Sequence, residues 1–468
     1  MPSIATAAHM GRWVQPMRPK LITGLRQAAS ISRLLLASLT VSETLTTDRR
    51  LFQRVSAIFR PASLIPVTIA GNHTSTSASS RAARQQERRA LGVAGGAHAL
   101  HDGYTDLIYV MLPIWQAEFG LAYAEIGLLR GLYAGTMAAF QIPAGLISER
   151  YGAGTVLALG TALAGLGYVI AGMSGGVAVL AVALFLSGLG SSTQHPLASS
   201  VVARAFAGPR SLKALGTYNF TGDVGKMTVP LAGALLLTLV SWRSTVVIIG
   251  ACGVAAAVAI AALMPRMGAE NATHGVQAVE GQTDPPQRFG FALLFSIGLI
   301  DSATRMAFLT FLPFLLTDKG ASLPTVGFAL SLVFAGGAVG KLACAFIGAR
   351  IGVIATVLLT ETLTAVAILA LLPLPLEAVL LLLPVIGLAL NGTSSVLYGS
   401  VPVLVGPQRR ARAFSVFYTG TIGAGAGAPV VFGAFGDLLG MPTTIALTGL
   451  FALLTIPPAV ALRPFFRR

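Results

Sequence analysis

Long apolar stretches alternate with short polar ones from Leu91 to the end of the chain. A helix that crosses a bilayer needs about 20 mostly apolar residues. The pattern predicts twelve such spans, at about 92–116, 124–147, 154–174, 177–206, 212–239, 243–264, 289–316, 323–348, 353–373, 377–405, 411–435 and 441–463. The hydrophilic stretch "RMGAENATHGVQAVEGQTDPPQR" divides them six and six. The predicted fold class is therefore an all-α membrane protein.

One span breaks its own pattern. After the apolar run Val177 to Leu186, the fourth span turns polar at Ser191, Ser192, Thr193, Gln194, His195 and Pro196, and apolar residues resume at Val201. Proline has no N–H and crowds the carbonyl four residues back. A kink is expected here, with the freed carbonyl near Ser192 satisfied by hydroxyls or by water in a cavity.

A shift of 200 residues superposes the two halves. It pairs Pro113 with Pro313, Gly127 with Gly327, Leu132 with Leu332, Ile147 with Ile347, Arg150 with Arg350, Gly152 with Gly352, Tyr218 with Tyr418 and Gly225 with Gly425. Parallel repeats related by an axis along the membrane normal are one plan for transporters.

Composition agrees with the pattern. Of 468 residues 54% are hydrophobic and 10% charged, against about 25% charged in a soluble domain. The net charge of +15 would suggest nucleic acid in a soluble protein, but here it is topological. Arg150, Arg204, Arg210, Lys213, Arg266, Arg288, Arg350, Arg409, Arg410, Arg412, Arg463, Arg467 and Arg468 fall on one side of the predicted spans, and Arg243 and Lys319 on the other. The bias puts both termini in the cytoplasm. Residues 1–89 read as a basic, disordered extension or a mis-assigned start. Bundles at 90–264 and 289–468 flank a cytoplasmic linker at 265–288. Cys252 and Cys344 lack disulfide or metal-site spacing and read as buried bystanders.

Two stretches carry a family resemblance. "GLISERYGAGTVLAL" is similar to the loop motif of the major facilitator superfamily, with Gly145, Glu149, Arg150 and Gly152 in matching places; the second half keeps Arg350 and Gly352. "GLGSSTQHPLASSVVAR" resembles the fourth span of that superfamily's fosmidomycin-resistance branch of drug exporters. "ALGTYNFTGDVGKMTVPLAG" resembles its fifth span in part, with Asp223, Lys226 and Val229 as departures. The resemblance implies two six-helix bundles, with the first, fourth, seventh and tenth spans lining a central path.

An ionisable group at bilayer depth costs about 2.5–3.5 kcal/mol on insertion scales, so it faces a cavity and has a partner. Asp102 and Asp106 lie one helical turn apart, and two carboxylates so placed can hold one proton between them. They are the candidate proton-coupling pair. Path candidates are His101, Arg130, Gln194, His195, Tyr218, Asn219, Asp223, Lys226, Asp301, Arg305, Asn391 and Tyr398. Asp223 with Lys226 and Asp301 with Arg305 also read as structural ion pairs along one helix. Lys341 and Glu361, with no charged neighbour in sequence, read as structural. Glu149, Arg150 and Arg350 would brace the cytoplasmic side when the halves close there. The glycines of the eleventh span, "TGTIGAGAGAPVVFGAFG", read as a close-packing face.

The functional expectation is a secondary transporter of a small polar or anionic molecule. By resemblance it works as a proton-coupled exporter in a bacterial plasma membrane; proton-symport uptake or facilitated diffusion would use the same residues. Expected partners are the substrate, the proton and the bilayer, with no cofactor, metal or nucleic acid and a monomeric chain. A membrane-embedded enzyme or receptor is the rival class, but no nucleophile motif accompanies the histidine and carboxylates. The phosphate loop of an ATP-driven pump is absent.

Overall fold

The computed structural model describes residues 73–206, 209–265, 285–406 and 409–466. Most of the basic extension, most of the linker, and Arg266, Arg467 and Arg468 lie outside them. The chain divides into units Met1–Thr74 and Ser75–Arg468, and the second holds everything that follows.

The first half comprises α1 (His73–Phe119), α2 (Tyr123–Ala139), α3 (Gln141–Tyr151), α4 (Ala153–Gly172), α5 (Val177–Ser191), α6 (Gln194–Ala205), α7 (Pro209–Leu236) and α8 (Trp242–Leu263). The second comprises α9 (Pro285–Asp318), α10 (Leu323–Ile351), α11 (Val353–Ala370), α12 (Leu376–Leu404), α13 (Arg410–Leu439), α14 (Met441–Ala452) and α15 (Ile456–Leu462). Span two is α2 with α3, span four α5 with α6, and span twelve α14 with α15; the others are single helices. Helix α1 starts at His73, inside the stretch expected as an extension.

Among the described residues nine helical segments are long and apolar enough to cross a membrane on composition alone. Spans one, two and five fall short for a physical reason. Over residues 92–116 helix α1 carries two aspartates and two histidines, α2 ends at Ala139, and α7 carries Asp223 and Lys226. The other helices shield these polar groups.

The duplication is visible in the backbone. Gly120 and Gly320 turn the chain at φ 64° and 87°, and Gly152 and Gly352 at φ 84° and 85°. Each pair is 200 residues apart, at positions where only glycine adopts the left-handed region without strain. Pro113 and Pro313 sit inside α1 and α9.

Three apolar cores show how the halves meet. One is shared: Tyr109, Leu112, Ile126 and Tyr133 pack in a single cluster with Phe308, Phe311, Leu330 and Phe432. It lies toward the end of the molecule that carries the 120–122 and 320–322 connections, hereafter the loop end. At the opposite, terminal end each half has its own core. Leu157, Leu197, Val201 and Tyr218 belong to one, and Ile297, Val357, Leu397 and Phe417 to the other. The halves are joined at the loop end and separate toward the terminal end.

Small residues permit the joint. A side chain at Gly127 would run into the Pro429 carbonyl, and one at Gly433 into the Tyr123 carbonyl, so α2 and α13 pack backbone to backbone. Asp437 of α13 accepts the Tyr123 and Ala124 backbone N–H groups at 2.7 and 3.0 Å, capping α2 from the other half. Ser331 of α10 donates to the Met227 carbonyl of α7 at 2.5 Å. The close-packing face expected of span eleven is borne out at Gly433 and at Gly436, which meets Tyr123.

Candidate functional site

The polar centre is built on α1. His98 and Asp102 are four residues apart, so both project from the same helix face. His98 Nε2 lies 3.3 Å from Asp102 Oδ2. His195, at the start of α6, brings its Nε2 to 3.7 Å from Asp102 Oδ1. Lys226 of α7 completes the ring, with Nζ 3.5 Å from Oδ2. Behind them Tyr218 stacks on His98 at 4.2 Å between ring centres. His98 Nδ1 donates to the Tyr218 carbonyl at 2.9 Å.

The break in span four delivers His195. Helix α5 ends at Ser191 and α6 begins at Gln194, so the break at Ser192–Thr193 lies three to four residues before Pro196, where the proline's missing N–H leaves a carbonyl free. Pro196 sits in the first turn of α6, where its lack of a donor costs little. The hydroxyls around the break bond backbone carbonyls: Ser192 to Leu189 at 2.7 Å and Thr193 to Gly190 at 3.0 Å. Gln194 is fully buried and reaches the Tyr218 hydroxyl at 3.5 Å, while its Oε1 has no hydrogen-bond partner among the described residues.

One helical turn toward the loop end lies a second buried group. Arg130 donates to the Tyr109 hydroxyl at 2.9 Å and lies over the Tyr109 ring at 4.8 Å. Its Nε and Nη1, and the Oδ2 of Asp106, have no hydrogen-bond partner among the described residues. Buried orphans of this kind cost about 1–3 kcal/mol each unless water or a ligand meets them.

The second half contributes a cluster of its own. Arg305 Nη2 lies 3.7 Å from Asp301 Oδ2 along α9, so the pairing expected there is present. Glu361 of α11 is buried, at 2% exposure. Asn391 stays within α12, donating to the Gly387 carbonyl at 3.2 Å. The Tyr398 hydroxyl meets Thr421 at 3.2 Å.

Several sequence expectations change. Asp223 and Lys226 do not pair with each other: Lys226 turns to Asp102, and Asp223 takes Lys341 of the opposite half at 2.5 Å. Lys341, read as partnerless, thus bridges the halves. His101 faces away from the centre, with Nε2 2.9 Å from Thr161 and Nδ1 3.3 Å from Ser191; one position along a helix is a rotation of about 100°. Asn219 is exposed on α7, on the same helix face as Asp223 and Lys226. Cys252 is exposed rather than buried, and Cys344 is buried. Gly145 is half-buried in α3, while Glu149, Arg150, Gly152 and Arg350 are exposed at the terminal end, where the halves stand apart.

His98 was missed from sequence although its signal was there. A histidine one turn before a buried aspartate is on the same face; its neighbour His101, adjacent to Asp102, is not.

The sequence pattern of the Major Facilitator Superfamily matches residues 95–286 and 294–467. The chain belongs to that superfamily. Superfamily relatives include the fosmidomycin resistance protein of Escherichia coli, 28% identical over 34% of this chain and 40% of its own length. A probable sulfoacetate transporter of Cupriavidus necator is 28% identical over 31% and 34%. A cephamycin export protein of Amycolatopsis lactamdurans is 30% identical over 34% and 33%. The chain thus aligns with a third to two fifths of the length of these curated relatives. Among solved structures, an inward-facing bacterial homologue of the lysosomal transporter Spinster superposes with TM-score 0.69 at 15% identity, covering 81% of this chain and 98% of that one. The nucleoside transporter NupG gives 0.67 at 15% identity over 82% and 100%. The fold is the superfamily's twelve-helix, two-bundle membrane fold, and both fold and relatives are those of transporters rather than enzymes.

Proposed function

We propose that the chain is a secondary carrier that moves a small polar or anionic molecule by alternating access. The observation that carries this reading is the partition of the cores. One core unites the halves at the loop end and two separate cores serve the terminal end, with the ionisable groups buried where the halves part. Rocking the bundles about that level would expose the same groups to the other side.

Asp102 and Asp106 are the proposed proton-coupling pair. Lys226, Arg305, Arg130 and His195 offer cations and hydrogen bonds to the cargo, and the orphaned atoms of Arg130, Gln194 and Asp106 are free to engage it. The names of the relatives favour export of a drug-like or anionic molecule against protons. The loop charges favour a bacterial plasma membrane with both termini, and so the terminal end, in the cytoplasm. In the alternate state Glu149, Arg150 and Arg350 would brace that end through facing helix termini. The chain is proposed to act as a monomer.

Proteoliposomes holding the purified chain test this without ATP. An imposed pH gradient drives accumulation of fosmidomycin, sulfoacetate or another member of a small-anion and antibiotic panel, and Asp106→Asn uncouples it. A variant that still follows the gradient removes Asp106 from the coupling role. Binding without translocation across the whole panel would point to a receptor.

A further inference from the structure

The ring around Asp102 poses a question of hydrogen positions. A carbonyl oxygen only accepts, so the hydrogen between His98 Nδ1 and the Tyr218 carbonyl belongs to the imidazole. A neutral His98 then turns the bare lone pair of Nε2 toward the carboxylate of Asp102, 3.3 Å away. Two electron-rich groups face each other across that gap, and a cation between them removes the repulsion. His195 brings a second ring nitrogen to the same carboxylate from α6.

We infer that His98, Asp102 and His195 form a binding site for a divalent transition-metal cation of the zinc or cobalt class, contested by the Lys226 ammonium. The three ligand atoms lie within 4.8 Å of one another. Two imidazoles and one carboxylate suit these metals, and the remaining coordination positions stay open to water or an anion. Ligand atoms sharing a tetrahedral metal sit about 3.4 Å apart. His98 lies 3.3 Å from Oδ2 of Asp102 and His195 3.7 Å from Oδ1, so each nitrogen is already near that spacing from one oxygen of the carboxylate. The widest separation in the triad must close by up to about 1.4 Å to reach that spacing. The His195 side chain, 32% exposed, has the room to make that move.

The outer contacts are those of a metal ligand. A metal-bound histidine donates its other N–H to a backbone carbonyl or carboxylate, which holds the tautomer and aims the lone pair. His98 does this through Tyr218 while Tyr218 stacks along its ring. The orphaned Gln194 Oε1 lies on the residue beside His195. The opposing charge is Lys226, 3.5 Å from Asp102 Oδ2; Asp106, one turn along α1, favours a cation. A bound metal would take the carboxylate assigned above to the proton, so it should block proton-coupled transport. The site itself stands whether or not the chain moves a cargo.

The test is cobalt titration of the full-length, untagged chain, purified in detergent and stripped with chelator. One equivalent of Co2+ should give visible d–d absorption that Zn2+ abolishes. His98→Gln and Asp102→Asn should lose the signal, and His101→Gln should keep it. Lys226→Gln should bind about tenfold tighter or more, because it removes a positive charge next to the metal; a damaged fold cannot produce that gain. Absence of cobalt binding by the wild-type chain overturns the proposal. So does binding that survives in His98→Gln and Asp102→Asn, or a Lys226→Gln variant no tighter than wild type.

Discussion

Spans two and four of the first half are interrupted, at Phe140 and at Ser192–Thr193, whereas their counterparts α10 and α12 run unbroken for 29 residues each. The break in span four coincides with chemistry. The first half gathers two histidines around Asp102, His98 buried and His195 half-buried, and a buried Arg130, while the second contributes Asp301, Arg305, Glu361 and Lys341. Duplication supplied two equal bundles. One kept these helices unbroken, and the other gave up backbone bonds near mid-depth to present side chains from α6. On the proposed reading the first half does most of the ligand handling, and the second forms the opposing wall that carries Arg305.

The sharpest way to break that comparison is Asp102→Asn. It leaves Lys226, whose side chain is 31% exposed, without the carboxylate it pairs with, and losing this partly exposed pair costs about 1–3 kcal/mol. Transport should fall by about a hundredfold or more, and the melting temperature should drop. If Asp301→Asn does more harm than Asp102→Asn, the division of labour is reversed.

Next in size is a wedge at the joint. Gly131 abuts the Ala426 carbonyl of α13, and Gly131→Leu overpacks that contact at a cost of about 1–3 kcal/mol. The halves should separate at the loop end. A cysteine at Ile114, on the wall of a cavity of about 580 Å³ at that end, should then label about tenfold faster or more, given Cys252→Ser and Cys344→Ser in the background.

A smaller effect is expected from the bridge between halves. Lys341→Gln and Asp223→Asn should each destabilise, and the double variant should recover part of the loss. The coupling expected from a double-mutant cycle is about 1 kcal/mol, because the lysine is partly exposed. Additive effects would show that the bridge contributes nothing. The least effect belongs to Asp437→Ala, which removes the cap on α2. About 0.5–1 kcal/mol is expected, read as a modest increase in labelling of the same Ile114→Cys probe; an unchanged rate would remove Asp437 from the joint.

Much of the fold was legible along the chain. Apolar runs marked the spans, and the 200-residue register anticipated the twin turns at Gly152 and Gly352. Even the small-residue face of span eleven could be read. Partners could not. The spacing of Asp223 and Lys226 pointed to a pair within one helix, yet each found a more favourable charge on another helix. His101 looked like the companion of Asp102 because it is adjacent in sequence, while His98 held the position one turn away.

What the sequence by itself determined was solvent and architecture: apolar periodicity decides which stretches can leave water, and that property is local. Only the tertiary structure decided which ionisable groups meet, and which end of the molecule is joined. A charge inside a membrane bundle takes its partner from whatever helix packs nearest, and that depends on crossing geometry and on glycine contacts many residues away. One position, a rotation of about 100°, separates a ligand from a packing residue, and no spacing rule carries that angle across to the neighbouring helix.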